Sequence, residues 1–578
     1  MKPRVIGLLL LFFRLAEAQT PLLQITFPAQ NDTVNGNRVR ISGFTESGAV
    51  VSINGKKVPL TPQASFVARV DLSEGLNTIL VEAQKNGAVS VQNLSVYRPP
   101  STKSLPEKPT AIDLDGCAPR RDVWLSVGDY LDVQLKGSPN GVAAFSIDRY
   151  LKHLPMVEID TALTDGIFGI YRGAIRISSD LPIDKPLAIE GELLGADGRK
   201  KKLVIGRLFV LSPHVPLIGR TKQTVTVHSA AEGYVPWLRL PAGIDLHIVG
   251  KRNNRYQVRF SATKQGYIEE DGIELLPAGT PLPSLAVGAP NLVQDKNWIR
   301  LIYPADRLPA FWIDQDPVLN RLDLYLFGAR QASHWVTFPN GESDLAALVF
   351  GQEDNAFRTT VVLRTKRVWG YKAEYRDGAV VFSIRRPPVI NSQNPLQGLV
   401  IAVDAGHGGQ DRGAVSPLGR LEKEINLMWA ESLAAKLRSN GATVVMTRRE
   451  DIEVSLAERI RLAEEAEAHI FLSLHNNSVP ATGNPAAEGT SVYFTTPQSR
   501  DLAWALYPYL VKLGLAPFGR VYNAYYVTQS TAFLSVLIEG GFLSNPKEEL
   551  KLADPVFIDR LSQAICEGLA DFLSTGEK

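Results

Sequence analysis

A chain of 578 residues, 45% hydrophobic and 21% charged, has the composition of ordinary globular protein and the length of about four domains at roughly 150 residues each. Its formal charge of +2 excludes a general attraction to nucleic acid or to an anionic membrane, and the basic run 199–202, directly after Ala196-Asp197-Gly198, reads as a solvated hairpin turn. Cys117 and Cys566 lie in different predicted domains, which argues against a bridge between them and excludes a cysteine metal cluster.

In chain order, basic MKPRV, apolar IGLLLLFF and the small residues of AEA at 16–18 give residues 1–18 the layout of a secretory signal, too short to span a bilayer. Nothing later reaches eighteen consecutive apolar residues, so no transmembrane segment is expected after signal removal. The expected location is outside the cytoplasm, in a periplasm or in the wall and extracellular space. From 20 to 98 short alternating runs broken by Ser-Gly and Asn-Gly predict a β-sandwich. SGFTESGAVVSING and EGLNTILVEA resemble bacterial immunoglobulin-like domains. RPPSTKSLPEKP at 98–109 reads as a linker, and 110–213, with WLSVGDYLDVQLKGSPNGVAAFSI, as a second sandwich. Residues 217–278 show five short strands and a Leu-Pro-Ala-Gly turn, and resemble bacterial SH3-like barrels. Tyr256 and Trp237 are there either a binding face for wall polymer or simply core aromatics. A further sandwich is expected over 285–386, and RRPPVINSQNP at 385–395 is the clearest linker in the chain.

Beyond 398 the hydrophobic period changes. LVIAV, TVVMT, HIFLSLH, TSVYFTT and LSVLIEGGF read as strands. Between them, Ile425, Trp429, Leu433 and Leu437 recur every four residues, one helical stripe stopped by Asn440-Gly441. Ser455 and Glu458 have capping-box spacing, SRDLAWALYPYLVKLG is helical with Pro508 kinking or dividing it, and Asn545-Pro546 and Asp554-Pro555 open the last two helices. The expected fold class is therefore multidomain: N-terminal all-β modules, sandwiches and an SH3-like barrel, then a C-terminal layered α/β domain over 398–574. Its central sheet is flanked by helices, with ligands bound at strand ends.

Four polar residues of that domain fall where strands give way to loops or helices. His407 stands among glycines in VDAGHGGQDRGA, Glu422 opens a helix, His475 ends HIFLSLH, and Glu539 ends SVLI before Gly540-Gly541. Ionised carboxylates are seldom buried without a partner, and two imidazoles with one carboxylate suit a zinc ion whose fourth position is left to water. The motifs DAGHGGQDRGA, LEKEINL, VVMTRRED, FLSLHNN and VLIEGGFLSN resemble, in order and spacing, the zinc-dependent N-acetylmuramoyl-L-alanine amidases of the third amidase family. The segment 285–386 is similar to the β-sandwich modules found ahead of such enzymes. The resemblance implies Zn2+ held by His407, Glu422 and His475, with Glu539 as catalytic base and Asn477 in contact with substrate. It implies cleavage of the amide between N-acetylmuramic acid and L-alanine of the stem peptide, with peptidoglycan as partner and a protein activator left open. His469 stands where the family carries an aspartate; at roughly 3.3 Å per residue it lies about 20 Å along the strand from His475, which makes it a strand-end histidine rather than a fourth ligand. NAYYVTQS before the last strand also departs from the family pattern. The short interval from Tyr493 to Glu539 lacks room for the long regulatory helix of Gram-negative division amidases. The competing readings are a wall-binding protein with an inactive domain and a zinc peptidase acting on another amide. No HExxH helix is present.

Overall fold

The computed structural model describes residues 21–575 except 101–103, 165, 234–235, 306 and 333–343. The expected signal segment and the Trp237 side chain lie outside the described residues. The molecule is multidomain, β-rich as far as Arg385 and layered α/β after it.

In the first β module, strands Leu23–Phe27, Arg38–Thr45 and Ser65–Asp71 form one antiparallel sheet, and a five-stranded sheet runs from Asp32–Thr33 to Lys56–Val58. The inward residues of alternating strands, among them Val39, Ile41, Phe66, Ile79, Val81 and Val96, make its core. The segments predicted as separate modules at 110–213 and 217–278 keep separate cores, yet their strands belong to one continuous hydrogen-bonded ladder. The join is Val123–Ser126, which pairs in parallel with Lys200–Leu211 and meets Asp245–Arg252 through Trp124 and Lys251. Trp124 sits at this join, packing on Tyr256 and Phe209 with Lys251 over its ring. Tyr256 is thus a buried aromatic. The module from 285 to 386 contains two four-stranded antiparallel sheets closed over Tyr303, Leu324, Phe357 and Phe382. Cys117 and Cys566 are both buried free thiols.

The C-terminal domain is built on β1 (Val400–Ala405), β2 (Thr443–Met446), β3 (Ile470–Asn477), β4 (Thr490–Phe494), β5 (Pro517–Tyr522) and β6 (Leu534–Phe542). The sheet order is β2-β1-β3-β6-β4-β5, with parallel pairing except between β4 and β6. The helices are α1 (Glu422–Ser439), α2 (Leu456–Glu465), α3 (Arg500–Val511), α4 (Glu548–Leu552) and α5 (Pro555–Thr575). The α1 stripe Trp429, Leu433 and Leu437 packs with α3 and α5 on Ile401, Leu472, Val536 and Ile538. Burying each such side chain contributes roughly 1.5–3 kcal/mol. α2 covers the other face, where Ala463 meets Phe471 and Phe533. Ser455 caps it, its Oγ accepting from Glu458 N at 3.2 Å. Pro508 sits inside a single α3 rather than dividing it. β5 was absent from the sequence expectation, because Pro517 and Gly519 in PFGRVY punctuate an edge strand with little burial.

The module at 285–386 is fixed to the end of the sheet where β3 and β6 begin. Tyr371 N donates to Thr531 O and Thr531 Oγ1 to Tyr371 O, both at 2.7 Å, while Arg385 Nε donates to Ala532 O at 2.9 Å. His469 is half-buried at this junction, its Nδ1 accepting from Val400 N at 3.0 Å. Burial, and then the Arg385 cation, pull its pKa down to about 4. A folded-state value below the ordinary 6.5 means that the neutral ring's stabilisation is complete above about pH 6.5 and is lost as pH falls through about 4. In His469→Asn the Oδ1 replaces Nδ1 as acceptor without a titrating proton. The drop in melting temperature between about pH 7 and about pH 5 is expected to shrink in that variant, by the equivalent of at most about 2 kcal/mol.

Candidate metal centre

At the opposite end of the sheet, β1 runs out through Gly406 into His407. A Cβ at Gly406 would lie 2.3 Å from His475 Cε1, so only glycine lets the two motifs approach. His407 itself has φ 62°, a left-handed conformation that costs a non-glycine residue about 1–2 kcal/mol. Two buried arginines hold it there. Arg459 donates to Ala405 O at 2.7 Å and His407 O at 2.8 Å, and Arg448 to Ala405 O, Gly406 O and Lys423 O at 2.9, 3.0 and 2.7 Å. Asp404 offsets the charge of Arg459, accepting from its Nη1, from Thr447 Oγ1 and from Ser473 Oγ, each at 2.6 Å. The strain at one histidine is thus held by a paired, fully buried network.

That network brings three of the sequence-derived residues together. His407 Nε2 is 3.2 Å from Glu422 Oε2, His475 Nδ1 is 3.1 Å from Glu422 Oε1, and the rings cross at 79° with centroids 4.9 Å apart. One donor atom from each of His407, Glu422 and His475 lies within 4.8 Å of the others. Ligands about 2.0–2.1 Å from a tetrahedral zinc would be about 3.3 Å apart, so this spacing fits the ion. Glu422 is oriented by the N–H groups of Ala414 and Asn476, at 2.8 and 3.0 Å, and by Asn426 Nδ2 at 3.2 Å. Burial alone would raise the Glu422 carboxyl, but the two imidazoles hold it well below the usual range. Burial likewise opposes a proton on His407, yet Glu422 and Asp411 lift its pKa to about 9. Glu424, on the other side of Lys423, is exposed.

Asp411 was not found by sequence reasoning. Its Oδ2 lies 2.8 Å from His407 Nδ1, the nitrogen turned away from Glu422. A carboxylate there fixes the ring's tautomer and makes the facing nitrogen a better ligand. Asp411→Asn is expected to weaken zinc binding about 10–100-fold, measured by competition with a chromophoric chelator. The acid four residues beyond a histidine was a usable signal, although i, i+4 spacing carries this meaning only once the loop's path is known.

Glu539 lies directly across from His475 in the β3–β6 register and from Ser491 in β4. It is 9% exposed, and its Oε2 has no hydrogen-bond partner. Burial, then the nearby Glu422 charge, push its carboxyl well above the ordinary range, with His407 opposing. Asn477, two residues past His475, pairs with Phe542 and uses its Oδ1 on Ser478 N. The departing stretch NAYYVTQS places Tyr525 edge-on to Tyr493 at 5.2 Å, on the Glu539 side of the sheet. His469 lies at the other end of β3, away from the triad.

An open α/β sheet with two imidazoles, a carboxylate and an unpaired buried acid at its strand ends defines a candidate metal-dependent hydrolase. Residues 401–571 match the family model Amidase_3, described as N-acetylmuramoyl-L-alanine amidase. It is 37% identical over 185 residues to the N-acetylmuramoyl-L-alanine amidase LytC of Bacillus subtilis (strain 168), covering 31% of this chain and 36% of that one. It is likewise 37% identical over 185 residues to the probable cell wall amidase LytH of Staphylococcus aureus, covering 32% and 61%. The chain thus spans less than two thirds of either relative. A solved structure, the catalytic domain of CwlV from Bacillus (Paenibacillus) polymyxa var. colistinus, is 36% identical and aligns over 30% of this chain and 98% of that one, with a TM-score of 0.29. No helix among the described residues is long and apolar enough to cross a membrane.

Proposed function

We propose that the protein is an exported N-acetylmuramoyl-L-alanine amidase that hydrolyses peptidoglycan at the bond between the lactyl group of N-acetylmuramic acid and L-alanine. The observation that carries this reading is the convergence of His407, Glu422 and His475 with the unpaired Oε2 of Glu539 beside them. The Amidase_3 match of the same domain supports the choice of bond. Zinc held by His407 Nε2, Glu422 and His475 Nδ1 would lower the pKa of water toward about 7 and polarise the scissile carbonyl.

The chain's own residues do the rest. Asp411 holds a proton on His407 Nδ1, which would leave Nε2 free to bind the ion. Glu539, whose carboxyl binds protons more readily than an exposed one, takes the proton of the attacking water on Oε2 and returns it to the departing amine. Asn477 contacts substrate at the rim. In this reading residues 1–18 are the export signal, and the β modules, immunoglobulin-like at 20–98 and SH3-like at 217–278, hold the enzyme at the wall. A protein activator would act on those modules.

The test is mass spectrometry of soluble fragments released from purified sacculi by the full chain, with and without chelator. Free stem peptides beginning with L-alanine, abolished by chelator and restored by zinc, are expected. Binding without release would favour an inactive wall-binding protein. Release by cleavage within the stem would favour a zinc peptidase.

A further inference from the structure

The strand Arg38–Thr45 has a burial pattern that its own module does not explain. Val39 and Ile41 point into the core of the first β module, so Arg40 and Ser42 project from its outer face, where alternation would leave them in water. Both are buried, at 2% and 0% exposure. Burial pulls the Arg40 guanidinium down to about 10; its Nη1 donates to Ser42 Oγ and it stacks over Phe27 at 4.2 Å. What covers this face is the catalytic domain, some 440 residues further along the chain.

Two loops make the contact. One, 478–489, leaves the end of β3 just after His475 and Asn477 and leads into β4. Arg40 N donates to Ala481 O at 2.7 Å, Arg69 Nη2 donates to Thr482 O at 3.0 Å, and Ala481 packs against the first module's core. A Cβ on Gly36 would lie 2.5 Å from Thr482 Cγ2. The other, 415–421, joins the His407 loop to Glu422, and Thr26 Oγ1 donates to its Pro417 O at 3.3 Å. Glu549 of α4 locks the junction from beneath, accepting from Ser65 Oγ at 3.3 Å and from Leu418 N at 3.0 Å. Both loops adjoin the site: Ala414 N donates to Glu422 just before the first, and Ser491, just after the second, faces Glu539.

We propose that the first β module is a clamp on the rim of the metal centre, gripping the two loops that bound its entrance and so fixing the aperture through which polymer reaches Glu539. Polymer as the substrate rests on the amidase reading; the grip does not. Arg40, Arg69, Ser65 and Gly36 are then positioning residues, acting through loops 415–421 and 478–489 without touching substrate.

The experiment uses the full chain with Arg69→Ala and Gly36→Val. Arg69 is exposed and Gly36 does not occupy the left-handed region, so both changes act on the contact rather than on the module's fold. Hydrogen exchange of 415–421 and 478–489 is expected to quicken about fivefold, roughly 1 kcal/mol for a lost bond, with metal content unchanged. KM for insoluble sacculi is expected to change by about threefold or more, while kcat on a short soluble muramoyl peptide stays put. Exchange in both loops equal to wild type in both variants would overturn the clamp. Faster exchange with an unaltered KM would overturn its control of the aperture. A protein that shows the exchange effect yet never releases stem peptides would instead refute the amidase reading.

Discussion

Glu539→Gln is expected to lower kcat for release of stem peptides by about a hundred- to ten-thousand-fold, the range for a positioned general base. The substitution is isosteric, so the β6 strand and its register with His475 stay as they are. Glutamine cannot accept the water proton at the position of Oε2, the atom left without a partner. Because a buried acid is exchanged for a neutral amide, the fold is not expected to lose stability. The three metal-facing donors are untouched. Three measurements on one preparation settle it: turnover, zinc stoichiometry by elemental analysis, and melting temperature. Undiminished turnover would refute the role, and loss of zinc together with activity would move Glu539 into the ligand set.

His407→Ala is expected to act in the reverse order, on metal first and on activity as a result. In the proposed reading two ligands would remain, Glu422 and His475, too few to enclose a tetrahedral ion. Affinity should fall by more than the roughly 10–100-fold expected for Asp411→Asn, since an outer partner only tunes the ligand that this change removes. Binding to the native state alone stabilises by about 2.7 kcal/mol when zinc is at a hundred times its dissociation constant. Added zinc should therefore raise the melting temperature of the wild-type catalytic domain and leave that of the variant unchanged. A full metal complement in the variant would show that the ion, if held, is held elsewhere.

The positions of the four central residues were readable before any geometry because each sits at a change of hydrophobic period. LVIAV, FLSL and SVLI are buried strands that run parallel to one another in the sheet, so the polar residues that end them fall at one end of it. The amphipathic stripe of α1 was readable for the same reason. What was not readable depends on long-range closure. Arg448 and Arg459 look like surface cations on a strand end and a helix, yet they are 2% and 3% exposed, because the backbone carbonyls of the His407 loop replace their water. Asp411 was passed over because its neighbour in space is set by a loop rather than by a repeat. The edge strand β5 lost its signal to proline and glycine. The outer face of Arg38–Thr45 was invisible for a simpler reason: polar alternation predicts water on that side and says nothing about a partner folded hundreds of residues later.

The catalytic domain is gripped twice, at its base by the module that precedes it and at its rim by the first module of the chain. The β modules therefore close a ring, and the rim contact is made between tethered partners. Tethering through a short connection supplies effective concentrations up to the order of millimolar, enough to keep occupied a small contact that free partners would leave mostly dissociated. Severing the chain at the 98–109 linker would remove that advantage at one stroke. The released first module should then drift away from an otherwise intact enzyme at ordinary dilution, so a cut in this linker would become an irreversible way of loosening the entrance.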